Sequence, residues 1–220
     1  MARASSTSLS LWKRQLGRIP DYVWDEVGLE ILILADNALD EVSEAIGRLT
    51  NLRTLDLGHN QLTRVPEALG ELRNLSDFLY LHDNQLSSLP SSLARLTRLR
   101  YLNISSNAFT TWPDVVCDLG GLVELRASDN HLTSLPSSIG RLSRLRELHL
   151  RNNRLATLPD SVADLAELRV LDLRGNSLTH LPQGIATLPR LEKLDLRWVS
   201  SLDPQPWFAD LESRGCLVYR

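Results

Sequence analysis

The sequence is poor in the features that mark secreted, membrane-spanning or nucleic-acid-binding proteins. Two cysteines, Cys117 and Cys216, are too few for a disulfide framework, which favours a reduced, cytoplasmic setting. No apolar run approaches the ~18 residues of a transmembrane helix, and the start of the chain lacks the apolar core of a secretory signal. A net charge of −3 indicates no basic surface. We therefore expect neither a membrane nor a nucleic-acid partner.

Motifs for catalysis and cofactor binding are also absent. The chain has no strand–Gly-rich loop–helix unit, no HExxH and no GxSxG. His59 and His82 lie 23 residues apart and could share a metal, but no third ligand is evident beyond Asp36 or Asp83. We predict no enzymatic activity, no cofactor and no metal site.

What the chain does contain is an internal repeat. An asparagine recurs every 23 residues, with a single step of 24 into Asn84. A proline follows six residues after most of these asparagines, and Ser43 takes its place once. A fixed period in this range is typical of solenoid proteins. The repeated asparagines are Asn37, Asn60, Asn84, Asn107, Asn130, Asn153 and Asn176.

Each repeat changes its hydrophobic period part way along. Leu148-x-Leu150 alternates as a half-buried strand does, and Leu158, Val162 and Leu165 then follow at helical spacing. Each unit is therefore predicted to be a short strand, a turn, and a short helix or 3₁₀ segment. The repeated asparagine amide can bond backbone groups at the turn, where leucine would leave them unpaired at ~1–3 kcal/mol each.

With these columns the sequence resembles the leucine-rich repeat family. Residues 145–165, LRELHLRNNRLATLPDSVADL, follow LxxLxLxxNxLxxLPxxIxxL, and the length matches the intracellular 23-residue type of bacterial, Ras-suppressor-like and plant Ras-group-related proteins. The resemblance implies an α/β fold, a curved right-handed solenoid with a parallel sheet on its concave face and short helices or 3₁₀ segments on its convex face. It also implies a protein-binding scaffold, without naming the partner.

We predict a single domain over residues 1–220. Residues 206–213 suggest a short helix and 216–219 a final strand. The predicted segments are a disordered start (1–8), an N-terminal partial repeat or cap (9–28), seven full repeats (29–190), and the last strand with a C-terminal cap (191–220).

Cys117 invites a catalytic interpretation only at first sight. Some bacterial relatives append a ubiquitin-ligase domain with a catalytic Cys-x-Asp, but here Asp118 follows the cysteine directly. Cys117 also falls in a column otherwise filled by glycine and alanine, such as Gly70 and Gly140, so we predict that it packs inertly on the convex side.

Two groups of side chains stand out among those expected to point from the strands to the concave side. The aromatic zone is Phe78, Tyr80, His82 and Tyr101. The charged zone is Glu124, Arg126, Glu147, His149, Arg151, Asp172, Arg174, Asp195 and Arg197. Aromatic and arginine side chains are enriched in binding hot spots. The predicted partner contacts are the whole aromatic zone with Glu124, Arg126, Glu147, His149, Arg151 and Arg174, and ordinary solvated surface is the alternative.

The 24-residue step falls at the start of the aromatic zone. In SDFLYLHDN, residues 76–84, one residue is surplus between Leu75 and Leu79. We expect a bulge just before the strand that re-aims nearby side chains, and a harmless insertion in a connection is the alternative.

These patterns together favour a monomeric, cytoplasmic scaffold that binds a protein partner through its concave face. Two alternatives stay open: a bacterial effector exported to act on a host protein, and the recognition domain of an enzyme whose catalytic part is absent. A stability-only or designed repeat is disfavoured, because the concave residues vary freely from unit to unit.

Overall fold

The computed structural model describes residues 7–203 and 205–220, and these form one solenoid. Ten strands make a single parallel sheet in which each strand pairs with the next along the chain. The connections between parallel neighbours are right-handed crossovers. The strands are β1 Ser8–Ser10, β2 Ile31–Ile33, β3 Thr54–Asp56, β4 Phe78–Tyr80, β5 Tyr101–Asn103, β6 Glu124–Arg126, β7 Glu147–His149, β8 Val170–Asp172, β9 Lys193–Asp195 and β10 Leu217–Tyr219.

The return segments opposite the sheet are 3₁₀ helices of five residues. Of the two alternatives predicted from the sequence, a short helix or a 3₁₀ segment, the structure shows the second. Each begins directly after a proline of the repeated column or, in one case, after Ser43, whose hydroxyl accepts a bond from the Ala45 amide at 3.1 Å. The helices are η1 Asp21–Asp25, η2 Glu44–Arg48, η3 Glu67–Glu71, η4 Ser91–Arg95, η5 Asp114–Asp118, η6 Ser137–Arg141, η7 Asp160–Asp164 and η8 Gln183–Thr187.

The core is a continuous stack of leucines between the sheet and the 3₁₀ helices. Leu148 in the middle of β7 and Leu150 after it are fully buried, and so is Val162 in η7. Fully burying a side chain of this size contributes roughly 1.5–3 kcal/mol. No single coil can enclose its own leucines, so each coil is stabilised by its neighbours. The strands stack at about 4.8 Å, closer than the return segments can, which sets the sheet on the concave side.

The repeated asparagines form the predicted ladder. The Asn130 side-chain amide donates to the carbonyls of Ile104, Ala127 and Ser128 at 3.0, 3.3 and 3.1 Å, and its oxygen accepts from the Phe109 amide at 3.2 Å. The same pattern recurs at the other members of the column, with Asn84 only partly buried. The side chains of this column therefore link the backbones of successive coils.

The surplus residue is absorbed just before β4. Asp77 and Phe78 both donate to the Arg53 carbonyl, as the corresponding pair does in other coils, whereas the Arg100 amide of the next coil bonds to Ser76. Ser76 and Asp77 thus stand where neighbouring coils have one residue, which confirms a bulge at this place. The pairing of Phe78 with Tyr101 keeps the common register, so the expected re-aiming of strand side chains is wrong.

The two ends differ slightly from the predicted segments. Ser8 already belongs to β1, although 1–8 was expected to be disordered, and residues 1–6 lie outside the described residues. The C-terminal helix α1 is Phe208–Ser213, two residues shorter at its start than predicted, and β10 begins at Leu217. Among the described residues, no helix has the length and apolarity needed to cross a bilayer.

Candidate interaction surface on the concave sheet

The first and third residue of each strand point to the concave face, and the middle one points to the core. In β4, Leu79 is fully buried while Phe78 is 42% exposed and Tyr80 partly so. Since every strand is in register with its neighbours, side chains at equal positions lie in rows across the sheet. The structure thereby brings together the predicted aromatic zone and, further along the sheet, the predicted charged zone.

The aromatic zone is a continuous cluster of rings. The centroid of Tyr101 lies 5.4 Å from that of Phe78 and 5.0 Å from that of Tyr80, and Phe78 stacks on Tyr80 at 5.8 Å. His82 continues the cluster, 5.9 Å from Tyr80. These separations are those of favourable aromatic pairs. The cluster leaves rings partly exposed on the concave face, where Ile31 of β2 and Leu217 and Tyr219 of β10 are further exposed apolar residues.

Burial sets the protonation of these rings. It raises the pKa of Tyr101 to about 12 and raises that of Tyr80, with the charge of Asp56 as a second cause for Tyr80. Burial also lowers the pKa of His82, against the opposing charge of Asp83. The zone is therefore a neutral, partly apolar surface at physiological pH, with phenol groups that keep their protons.

Gly58 makes room for the His82 ring. A β-carbon at Gly58 would lie 2.5 Å from Cε1 of His82, so a larger residue there would displace the His82 ring. His82 leans across the neighbouring coil into this space, and its Nδ1 is buried without a hydrogen-bond partner among the described residues. His59 packs edge-on against the same ring, with centroids 4.9 Å apart. The sequence prediction did not include His59 in the aromatic zone, although its place just before Asn60 was a usable signal.

The charged zone consists of side chains that bind one another. Nε of Arg126 donates to Oε1 of Glu124 at 2.6 Å, and Nε2 of His149 lies 3.1 Å from Oε2 of Glu147. Arg151 turns toward the edge of the sheet and pairs with Asp129 at 3.0 Å. A partner that uses these groups must first compete with the pairs they already form.

Two of the carboxylates in this zone are buried under arginines. Asp195 has no exposed surface, and Arg197 grips it in a bidentate pair at 2.9 and 2.8 Å. Arg174 holds Asp172 in the same way at 2.9 and 2.6 Å. Burial alone would raise the pKa of Asp172, but the hydrogen bonds from Arg174, with the His149 ring 4.0 Å away, hold that pKa well below its usual value. Arg174 stays a predicted partner contact, and its guanidinium also forms an ion pair within the folded sheet.

Trp198 is an exposed residue that the sequence prediction missed. It is 69% exposed and has a left-handed backbone with φ 61°, an uncommon conformation for a bulky residue. The guanidinium of Arg197 lies 5.8 Å and that of Arg174 6.0 Å from its ring centroid. Its place immediately before Val199, where an eighth ladder asparagine would stand, was the available signal.

Cys117 lies on the opposite side, in η5, and is buried. Burial raises the pKa of its thiol. A protonated, enclosed thiol is a poor nucleophile, which agrees with the predicted packing role.

Sequence comparison assigns the family. Residues 19–135 match the profile described as a leucine-rich repeat region, and residues 143–198 match the profile of the leucine rich repeat. The chain belongs to the leucine-rich repeat family. Proteins of this family typically mediate protein–protein interactions and are typically non-enzymatic scaffolds. No curated protein matches the chain.

Solved structures of similar fold include bacterial and plant proteins. A leucine-rich repeat protein of Leptospira interrogans has a TM-score of 0.75 at 25% identity, over 96% of this chain and 64% of that one. The leucine-rich repeat ectodomain of the membrane receptor kinase GASSHO1/SCHENGEN3 of Arabidopsis thaliana was solved in complex with CASPARIAN STRIP INTEGRITY FACTOR 2. It has a TM-score of 0.68 at 28% identity, and the match covers 91% of this chain and 28% of that one. The PEPR1–AtPEP1 structure has a TM-score of 0.68 at 30% identity, and the match covers 79% of this chain and 29% of that one. This chain therefore covers less than two thirds of each of these proteins.

Proposed function

We propose that this protein is a binding scaffold whose aromatic zone anchors a protein partner on the concave sheet. The observation that carries the proposal is the contact of Phe78, Tyr80 and Tyr101 in one partly exposed cluster. Large aromatic rings bury much apolar area and lose little conformational entropy on binding. A partner that covers these rings with apolar side chains therefore gains more there than elsewhere on the sheet.

The chemistry of the zone describes the partner segment. The rings are neutral, and the tyrosine hydroxyls keep their protons, so they can donate to carbonyl or carboxylate oxygens. We expect a segment with an apolar side chain seated on Phe78 and Tyr101 and an oxygen acceptor near Tyr80. The GASSHO1/SCHENGEN3 complex and the PEPR1–AtPEP1 structure support a peptide or protein ligand for this fold. What this chain shares with them is the fold.

The charged zone has a secondary part in this proposal. Its arginines are engaged by Glu124, Asp129, Asp172 and Asp195, so binding there exchanges existing pairs for new ones. Such pairs favour correct orientation and association rate more than affinity. We therefore assign the affinity to the aromatic zone and the alignment of the partner to the charged zone. We propose that the scaffold acts as a cytoplasmic monomer and has no catalysis of its own.

Site-specific photocrosslinking tests the proposal. A photoreactive phenylalanine analogue replaces Tyr101 in one variant and Tyr22 in another, and both are exposed to native lysate. Tyr22 is an exposed aromatic in η1 on the convex side, so it controls for non-specific ring contacts. The proposal is supported if a partner crosslinks at position 101 and an excess of unlabelled wild-type protein suppresses that crosslink. Equal crosslinking from both positions would remove the concave face from it.

A further inference from the structure

A group of potential metal ligands lies beside the aromatic zone. Nδ1 of His59 is 3.5 Å and Nε2 of His82 is 3.9 Å from Oδ2 of Asp83. One ligand atom from each of the three residues can be chosen so that all lie within 4.8 Å of one another. Two imidazoles and a carboxylate are the donor types of zinc and related divalent ions.

The turn of the repeat is what creates this group. His59 and Asp83 each stand just before a ladder asparagine, in neighbouring coils, with left-handed backbones of φ 52° and 51°. Aspartate and histidine tolerate this conformation better than most residues. His82 reaches the pair because Gly58 leaves space for its ring. The three side chains therefore meet through backbone geometry that the 23-residue spacing alone does not reveal.

Two of the distances between ligand atoms are close to those of a metal site. In a tetrahedral zinc site with bonds of about 2.0–2.1 Å, neighbouring ligand atoms are about 3.3–3.4 Å apart. The separations of 3.5 and 3.9 Å to Asp83 are close to this value. The side chains of His59 and Asp83 are 58% and 40% exposed, which gives an ion access and leaves room for water as a further ligand.

A second group on the same sheet shows what an unsuitable site looks like. Glu124, Glu147 and His149 also place ligand atoms within 4.8 Å. There, however, Arg126 already donates to Glu124 at 2.6 Å, and His149 is bonded to Glu147. A guanidinium in contact with the ligands repels a cation and occupies an oxygen. Among the described residues, Asp83 forms ion pairs with the two histidines and with no arginine or lysine.

We propose that His59, His82 and Asp83 form a binding site for a divalent transition-metal ion, with Zn²⁺ as the ion of best fit. Three protein ligands leave at least one coordination position open toward the concave side. Because His82 is also part of the aromatic zone, a bound ion would lie next to the surface assigned to the partner. The site itself needs no partner, so it stands or falls separately from the proposed function.

Metal titration of the full chain, free of any affinity tag and stripped with a chelator, tests the site. Calorimetry with Zn²⁺ measures stoichiometry and affinity, and Co²⁺ absorption reports the coordination geometry. The test variants are His59→Gln and Asp83→Asn, because both preserve size and Asn accepts a left-handed backbone. The matched control is His149→Gln, from the group held by Arg126. Melting curves without metal verify that each variant is folded.

The expected result is one Zn²⁺ per wild-type chain and a loss of affinity of at least about tenfold in both test variants, since even outer-shell changes at metal sites cost that much. His149→Gln is expected to bind as wild type does. Absence of saturable binding by wild type would overturn the proposal. So would unchanged affinity in His59→Gln and Asp83→Asn, or a loss confined to His149→Gln, which would move the ion to the other group.

Discussion

The aromatic and charged zones occupy the same sheet, in the same register, and yet differ in how far their side chains are already engaged with one another. In the charged zone, each of Arg126, Arg174 and Arg197 is bonded to a carboxylate two residues away on its own coil. In the aromatic zone, the rings touch one another but remain partly exposed. The difference teaches that charge on a repeat surface is not a measure of binding capacity, because residues two positions apart on the same coil can satisfy it internally.

The largest predicted effect is the loss of stability when an asparagine of the ladder, which supports both zones, is replaced. Asn130→Leu would leave the Phe109 amide without an acceptor and would take one of two donors from each of three carbonyls. At ~1–3 kcal/mol for the buried amide, with a smaller cost for each weakened carbonyl, we expect a loss of at least ~2 kcal/mol, or roughly 4 °C in melting temperature. Calorimetry measures it, with Asn74→Leu as the control, since Asn74 makes one exposed bond to Thr50. Equal melting of the two variants would refute the ladder.

A smaller effect distinguishes structural from functional charge. Arg174→Ala removes the bidentate partner of Asp172 and is expected to cost ~1–2 kcal/mol at pH 7, less than a fully buried pair because solvent reaches the site. Asp172 has a lowered folded pKa, so its stabilisation is complete above the usual value near 3.8 and is lost as pH falls below it.

The pH profile of unfolding checks this sign. Wild type is expected to lose stability more steeply than Arg174→Ala as pH falls from 5 toward 3, so the two curves converge in acid. Parallel curves over that range would show that Arg174 does not lower the pKa of Asp172. The comparison of the zones would then lose its electrostatic basis.

The positions of the aromatic and charged zones could be predicted from the sequence, whereas the contacts that depend on rotamers and turn conformation could not. Period and register placed Tyr80 and Tyr101 on one face, because a parallel stack copies each position to the next coil. The pairing of Arg174 with Asp172 was hidden, because it depends on rotamers within one strand. The exposure of Trp198 was hidden too, since it follows from a left-handed turn residue that hydrophobic periodicity does not report. The repeat spacing did place Asp83 near His59 and His82, but it left Asp36 as an equal alternative.

The smallest predicted effect concerns the surplus residue beside the aromatic zone. Deletion of Ser76 restores the 23-residue step, and because β4 already keeps the common register, we expect little change in melting temperature. The Arg53–Asp77 ion pair, 3.0 Å long, is partly exposed and contributes little. Near-ultraviolet circular dichroism reports the ring environment. A large change in that spectrum would show that the bulge shapes the aromatic zone after all.

The measurement that tests the central claim most directly is the affinity of the crosslinked partner for wild type, Tyr101→Ala and Tyr22→Ala. Loss of one hot-spot ring costs ~2–4 kcal/mol, whereas a ring outside the interface costs nothing in binding. We predict that Tyr101→Ala remains folded and binds at least about tenfold more weakly, which is ~1.4 kcal/mol, while Tyr22→Ala binds as wild type does. Full affinity in a folded Tyr101→Ala variant would contradict the assignment of the aromatic zone as the anchor.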